Sequence, residues 1–168
     1  VLDIDTCHLH PEPTNAIRNF IRDWAIQRNL PFFNPRSQEG WLRTMMIRVA
    51  STGDVLVVIQ FRTELQAERE ALLNDLVEVF PKITSLQYTI NPKGNDTLYD
   101  LDIHTFYGQP YIEEAMPKYS GEGQLRFKLG PKSFYQTNPD QAYELYKVAL
   151  DMANIQPTDL VFDLYTGT

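Results

Sequence analysis

Between Gly130 and Asn138 the chain reads Gly-Pro-Lys-Ser-Phe-Tyr-Gln-Thr-Asn, a turn followed by two aromatics and two side-chain amides. Aromatic faces stack on nucleobases, and an amide such as that of Gln136 both donates and accepts hydrogen bonds. The segment therefore suits recognition of a base or of an amino-acid carboxylate. A plainer reading makes Phe134 and Tyr135 core anchors, Asn138 a helix cap and Gln136 a surface residue. Near the end of the chain, Asp163-Leu164-Tyr165-Thr166-Gly167 follows an apolar run. A glycine turn at the carboxyl end of a strand lets backbone approach a ligand closely, or is simply a turn.

Other reactive residue types give less. Cys7 is the single cysteine, so no internal disulfide and no all-cysteine metal site can form within this chain. A lone cysteine is more often a small apolar core residue than a nucleophile. His8 and His10 are two apart and His104 is distant, which is not a helical metal-binding spacing. Glu113-Glu114 and the Asp100/Asp102 pair read as solvated surface acids, the first two in a loop.

Hydrophobic spacing supplies the elements that must position these residues. Ile17, Phe20, Ile21 and Trp24 share one helical face, predicting a helix over residues 14–28. Runs from Trp41 to Ala50 and from Val55 to Phe61 flank Ser51-Thr52-Gly53-Asp54 and predict an antiparallel hairpin. Thr63 and Gln66 have the spacing of a capping box ahead of a helix that carries Leu72 and Leu76 and ends before Pro81. Strands over 84–90 and 98–107 form a second expected hairpin around Asn91–Asp96. Gln124, Arg126 and Lys128 alternate with Leu125, Phe127 and Leu129, a strand with one basic face that Lys132 extends. Asn138, Pro139 and Asp140 open a helix running to about Ala153. A final strand is expected over 160–165. The fold class expected is an α+β domain, an antiparallel sheet with covering helices, over 1–130. The first elements of a Rossmann-like α/β domain follow over 131–168.

The 168 residues are 43% hydrophobic and 22% charged, a composition that folds. No run approaches the roughly 20 apolar residues of a membrane span, and no basic-then-apolar leader is present. A reducing, cytoplasmic location without membrane attachment is expected. Net charge is −7, with 13 basic and 17 acidic residues over 1–130 and 2 against 5 thereafter. That balance argues against strong, unaided nucleic-acid binding.

Three segments resemble the RNA uracil-5-methyltransferases, which use S-adenosylmethionine to make 5-methyluridine in ribosomal or transfer RNA. They are Gly40-Trp41-Leu42-Arg43 with Ile47-Arg48, then Lys132–Asn138 with Gln141-Ala142 and Leu145-Tyr146, and last Asp163–Gly167. Their order and spacing match as well. The resemblance implies that Gln136 contacts both S-adenosylmethionine and the target uridine, and that Tyr165 is an aromatic cofactor contact. It further implies that Phe134 edges the base pocket and that Arg43 faces RNA, while Asp163 supports the turn. Thr166 stands where many relatives have cysteine. The segment around Cys7 is similar to the one that gives a [4Fe-4S] cluster its fourth cysteine ligand in iron-sulfur members. The other three ligands are absent from this chain, so a cluster is an expectation for a full-length protein only.

By the same resemblance the family's nucleophilic cysteine and proton-removing carboxylate lie beyond Thr168. The chain therefore contains no catalytic residue and is expected to be an inactive fragment of an RNA methyltransferase. Its partner is RNA, ribosomal ahead of transfer. The alternative is a non-catalytic α+β module that positions RNA or binds protein.

Overall fold

The computed structural model describes residues 4–164. Helix α1 spans Thr14–Gln27 and buries Ile17, Ile21, Trp24 and Ala25, the face its apolar spacing demands. Strands β1 (Leu42–Val49) and β2 (Val55–Phe61) pair antiparallel across the Ser51–Asp54 turn. Every residue of β2 is buried, as a near-continuous apolar run, broken only by Gln60, requires of a strand covered on both faces. Helix α2 spans Gln66–Val79 and strand β3 spans Ile83–Ile90. The β3 strand pairs with β2 in parallel, because a helix between two strands carries the chain back to its starting end.

Strand β4 (His104–Gly108) returns antiparallel on β3, giving the order β1-β2-β3-β4. Gly108 has φ +74°, and a Cβ there would lie 1.9 Å from the Thr84 carbonyl oxygen, so the close approach of β4 to β3 requires glycine. Strands β5 (Ile112–Pro117) and β6 (Gln124–Leu129) form a separate antiparallel pair, and helix α3 spans Pro139–Ala153.

The sheet is therefore the middle of three layers. On one face α1 and α2 pack over Val55, Val57, Ile59, Phe61, Ile83 and Leu86. The opposite face presents Ala50, Leu56 and Val58 to Ile112 and Leu129 of the β5–β6 hairpin, with Phe127 and Tyr135 beside them.

Five expectations are corrected. The sheet is mixed, since β2·β3 is parallel. The capping box is absent: Leu65 occupies the N-cap of α2 and no side chain caps it. The fourth strand begins at His104, with Thr97–Asp102 folded into the preceding loop instead. Glu113 and Glu114 lie in β5, and Glu114 is buried; its carboxylate accepts from the Ser51 and Ala115 amides at 3.0 and 2.9 Å and from the Ser51 hydroxyl. Apolar Leu160–Leu164 form no strand among the described residues and stand exposed.

The α3 cap is as expected, with the Asn138 side chain accepting from the Gln141 amide at 3.1 Å. Asn138→Ala should cost about 1 kcal/mol of local helix stability. The check is faster amide exchange confined to the first turn of α3.

Candidate nucleotide-facing site

Residues 130–138 cross the hairpin side of the sheet, held by contacts that alternate along the loop. Lys132 donates from Nζ to the Tyr99 and Leu101 carbonyls at 3.0 and 2.9 Å. The Gly130 amide donates to Ser133 Oγ at 3.1 Å, and Arg48 Nη1 donates to the Ser133 carbonyl at 2.8 Å. Tyr135 turns inward against the Leu56–Val58–Ile112–Leu129 cluster, its ring centroid 5.7 Å from that of Phe127.

With Ser133 and Tyr135 directed inward, extended alternation sends Phe134 and Gln136 outward. Phe134 is 71% exposed and Gln136 is exposed as well. The sequence reading of Phe134 and Tyr135 as alternatives between core and ligand is thus divided between the two: Tyr135 anchors, and Phe134 is free.

Gln136 lines a cleft of about 420 Å³ shared with Leu9, Arg48, Glu114, Tyr135 and Thr137. Apolar walls with a few polar groups are the usual makeup of a small-molecule or base pocket. Two groups in it are perturbed by burial. The Tyr135 hydroxyl is buried with no hydrogen-bond partner among the described residues; burial first, then the Glu114 charge and Tyr146, push its phenol above the ordinary value. Arg48 has its guanidinium lowered from the ordinary value by burial, partly offset by Tyr99. Sequence reasoning gave Arg48 no role, read Glu114 as a surface acid and offered Tyr135 as either a core anchor or a stacking aromatic. Arg48 could have been found from the alternation of β1, which puts it on the sheet face of Met46.

Arg43 is placed elsewhere. Its side chain is 1% exposed, donating to the Lys93 and Asn95 carbonyls at 2.7 and 2.9 Å and to Asp96 at 2.8 Å. Its guanidinium also lies 4.2 Å from the Phe33 ring centroid. The structure therefore brings Arg43 to the 91–97 loop and not to Phe134 and Gln136. Tyr165, with Thr166 and Gly167, lies outside the described residues.

Cys7 is half-buried; its backbone amide donates to Asn15 Oδ1 at 2.9 Å and its carbonyl accepts from Asn15 Nδ2 at 3.1 Å. A [4Fe-4S] cluster takes four ligands, nearly always thiolates, and one cysteine in the chain does not meet that need. Among the described residues no group of three His, Cys, Asp or Glu is placed to hold a metal. The basic face of β6 is partnered within the protein: Arg126 pairs with Glu113 at 3.0 Å, and Lys128 lies over the Tyr111 ring at 4.5 Å. No helix among the described residues is long and apolar enough to cross a membrane.

No family model matches the chain. It is nevertheless 51% identical over 170 residues to an uncharacterized RNA methyltransferase of Porphyromonas gingivalis, covering 100% of this chain and 35% of that protein. An uncharacterized RNA methyltransferase of Bacteroides thetaiotaomicron is 48% identical over 171 residues, with 36% of its length covered. In fold, the chain is similar to the Pyrococcus abyssi tRNA (uracil-54, C5)-methyltransferase crystallised with S-adenosyl-L-homocysteine. The TM-score is 0.67 at 21% identity, over 90% of this chain and 34% of that one.

Along its whole length the chain is thus related to RNA methyltransferases, and it spans about a third of the length of the curated relatives it matches. These relatives bear out the reading of the chain as a segment of an RNA methyltransferase, and the shared fold agrees with it.

Proposed function

We propose that this chain is the part of an RNA methyltransferase that presents a uridine for methylation at C5. The observation that carries the reading is the outward pair Phe134 and Gln136 on a loop fixed from behind, Phe134 exposed and Gln136 lining a cleft. Chemistry on a base requires that it be unstacked and held by an aromatic face and by hydrogen bonds to its edge. An exposed ring two residues from a side-chain amide offers both contacts.

S-adenosylmethionine would supply the methyl group. Toward it, Gln136 offers an amide that can donate to a carboxylate, and Tyr165 an aromatic contact. The roles of Phe134 at the base, and of Cys7 as one cluster ligand in a longer chain, belong to the same proposal. Arg43 acts on RNA through the 91–97 loop that it holds. Residues 1–130 are the RNA-facing part and residues 131–168 the start of the methyltransferase domain. With the nucleophile and the base supplied by other parts of the protein, this segment alone transfers no methyl group. Its net charge of −7 makes it a weak RNA binder on its own. The location is the cytoplasm, and ribosomal RNA is placed ahead of transfer RNA as substrate.

The test uses the full-length protein, a labelled methyl donor and unmodified ribosomal and transfer RNA in separate reactions, with digestion to nucleosides. Label in 5-methyluridine is expected from one RNA class, and Gln136→Ala should reduce it by at least about tenfold, the scale of a lost positioning contact. RNA binding without label in any nucleoside would favour the non-catalytic RNA-positioning module.

A further inference from the structure

Arg48 stands on β1 with its Cα opposite Leu56 of β2. Strand alternation puts it on the same sheet face as Met46, the face that receives the β5–β6 hairpin and Tyr135. From there Nη1 crosses to the Ser133 carbonyl, 85 residues away in sequence, at 2.8 Å. Ser133 is the residue immediately before Phe134.

Beyond Ser133 the backbone of residues 134–137 makes no hydrogen bond among the described residues. The next fixed point is the Asn138 cap. Between these points the contact recorded among the described residues is the packing of the Tyr135 ring, which resists sliding poorly because apolar packing has no direction. The Arg48 bond does have direction, and its donor is charged and half withdrawn from solvent, which strengthens it relative to a neutral pair. Among the described residues its guanidinium is recorded with the Ser133 carbonyl and with no carboxylate partner, so it is not committed to balancing an acid.

We infer that Arg48 is a positioning residue of the proposed methyl-transfer site: it sets the path of the loop at Ser133 and so aims Phe134 and Gln136 together. This inference rests on the proposed function for its catalytic consequence, but not for its structural one. The role assigned to Arg48 is exerted through the loop, by its bond to the Ser133 carbonyl.

The experiment compares wild type, Arg48→Met and Arg48→Lys in the full-length protein by two readouts. One is the rate of chymotryptic cleavage after Phe134, which reports the population of the opened loop when reclosing is fast, measured against cleavage after Phe61 in the buried sheet. The other is steady-state methylation of RNA with kcat and KM separated. Arg48→Met should speed cleavage after Phe134 by about ten- to hundredfold, as expected of one charged hydrogen bond, with cleavage after Phe61 unchanged. It should lower kcat by about tenfold or more, and Arg48→Lys, which keeps a charged donor, should recover part of both. Equal cleavage after Phe134 in all three proteins would overturn the inference, as would parallel acceleration after Phe61, the mark of general destabilisation. A wild type that makes no 5-methyluridine would strike the proposed function instead, and the cleavage comparison would still decide whether Arg48 holds the loop.

Discussion

Replacing Trp41 by alanine should lower the unfolding free energy by about 4 kcal/mol. Trp41 is 1% exposed, its ring centroid 4.7 Å from that of Phe61 and 6.5 Å from that of Trp24. Immediately before β1, it packs on β2 and α1 in the larger core, and truncation removes contacts with both elements at once. The surrounding backbone restricts collapse into the void: the Trp41 amide donates to the Pro31 carbonyl and its carbonyl accepts from the Arg62 amide, both at 2.8 Å. Trp41→Phe provides the internal control. The indole nitrogen is buried with no hydrogen-bond partner among the described residues, so phenylalanine removes an unsatisfied donor as well as volume, and the two effects oppose each other. A loss of only about 1 kcal/mol is expected for it. Urea unfolding of the three proteins measures both differences, and a Trp41→Ala loss under about 2 kcal/mol would mean that the site relaxes around the cavity.

Much of this fold was legible in the sequence because its elements are periodic. Ile17, Ile21 and Trp24 mark α1, and the seven apolar-rich residues of β2 announce a strand buried on both faces. The parallel β2·β3 pairing was legible in principle, since a helix between two strands requires a crossover; reading the strands pairwise as hairpins missed it. The β5 strand was hidden by Glu113-Glu114. An acid inside a strand looks like surface, yet Glu114 is 4% exposed because the Ser51 amide and hydroxyl come from a turn 63 residues earlier to receive it. No local signal encodes that partner, although Ile112, Glu114 and Met116 do alternate as the buried face of the strand. The apolar run at 160–164 failed in the opposite way. Apolar composition favours a strand, but pairing is made by neighbours, and none is present among the described residues.

The candidate site divides along similar lines. The density of aromatic and amide residues at 134–138 could be read directly, and the structure leaves Phe134 and Gln136 outward. What sequence could not supply was the support behind them: Arg48 reaches across 85 residues, Lys132 across 33 and 31, and Tyr135 packs on a cluster that includes Leu56 and Val58 of β2. Arg43 shows the converse. A basic residue beside a family motif invites an RNA role, and only its surroundings show how its hydrogen-bonding capacity is used.

For that reason Arg43→Met should act first on stability, lowering it by about 3 kcal/mol, and only through the loop on RNA. The guanidinium is all but inaccessible and bonds the carbonyls of Lys93 and Asn95. Charged hydrogen bonds of this kind are each worth about 1.5–3 kcal/mol when made, and their loss leaves carbonyls short of a donor. The Asp96 pair adds less, because that carboxylate side chain is 64% exposed and screened by water. Methionine preserves the packing against Phe33, so the measured loss isolates the polar contacts. A direct phosphate contact behaves differently: its removal leaves the fold intact and lowers the salt dependence of RNA affinity by about one unit of slope. Unfolding curves together with RNA affinity at several salt concentrations, measured on the full-length protein, therefore separate the two roles. Loss of stability with an unchanged salt slope is the expected result. Unchanged stability with a shallower slope would place Arg43 on the RNA and require the 91–97 loop to open before it binds.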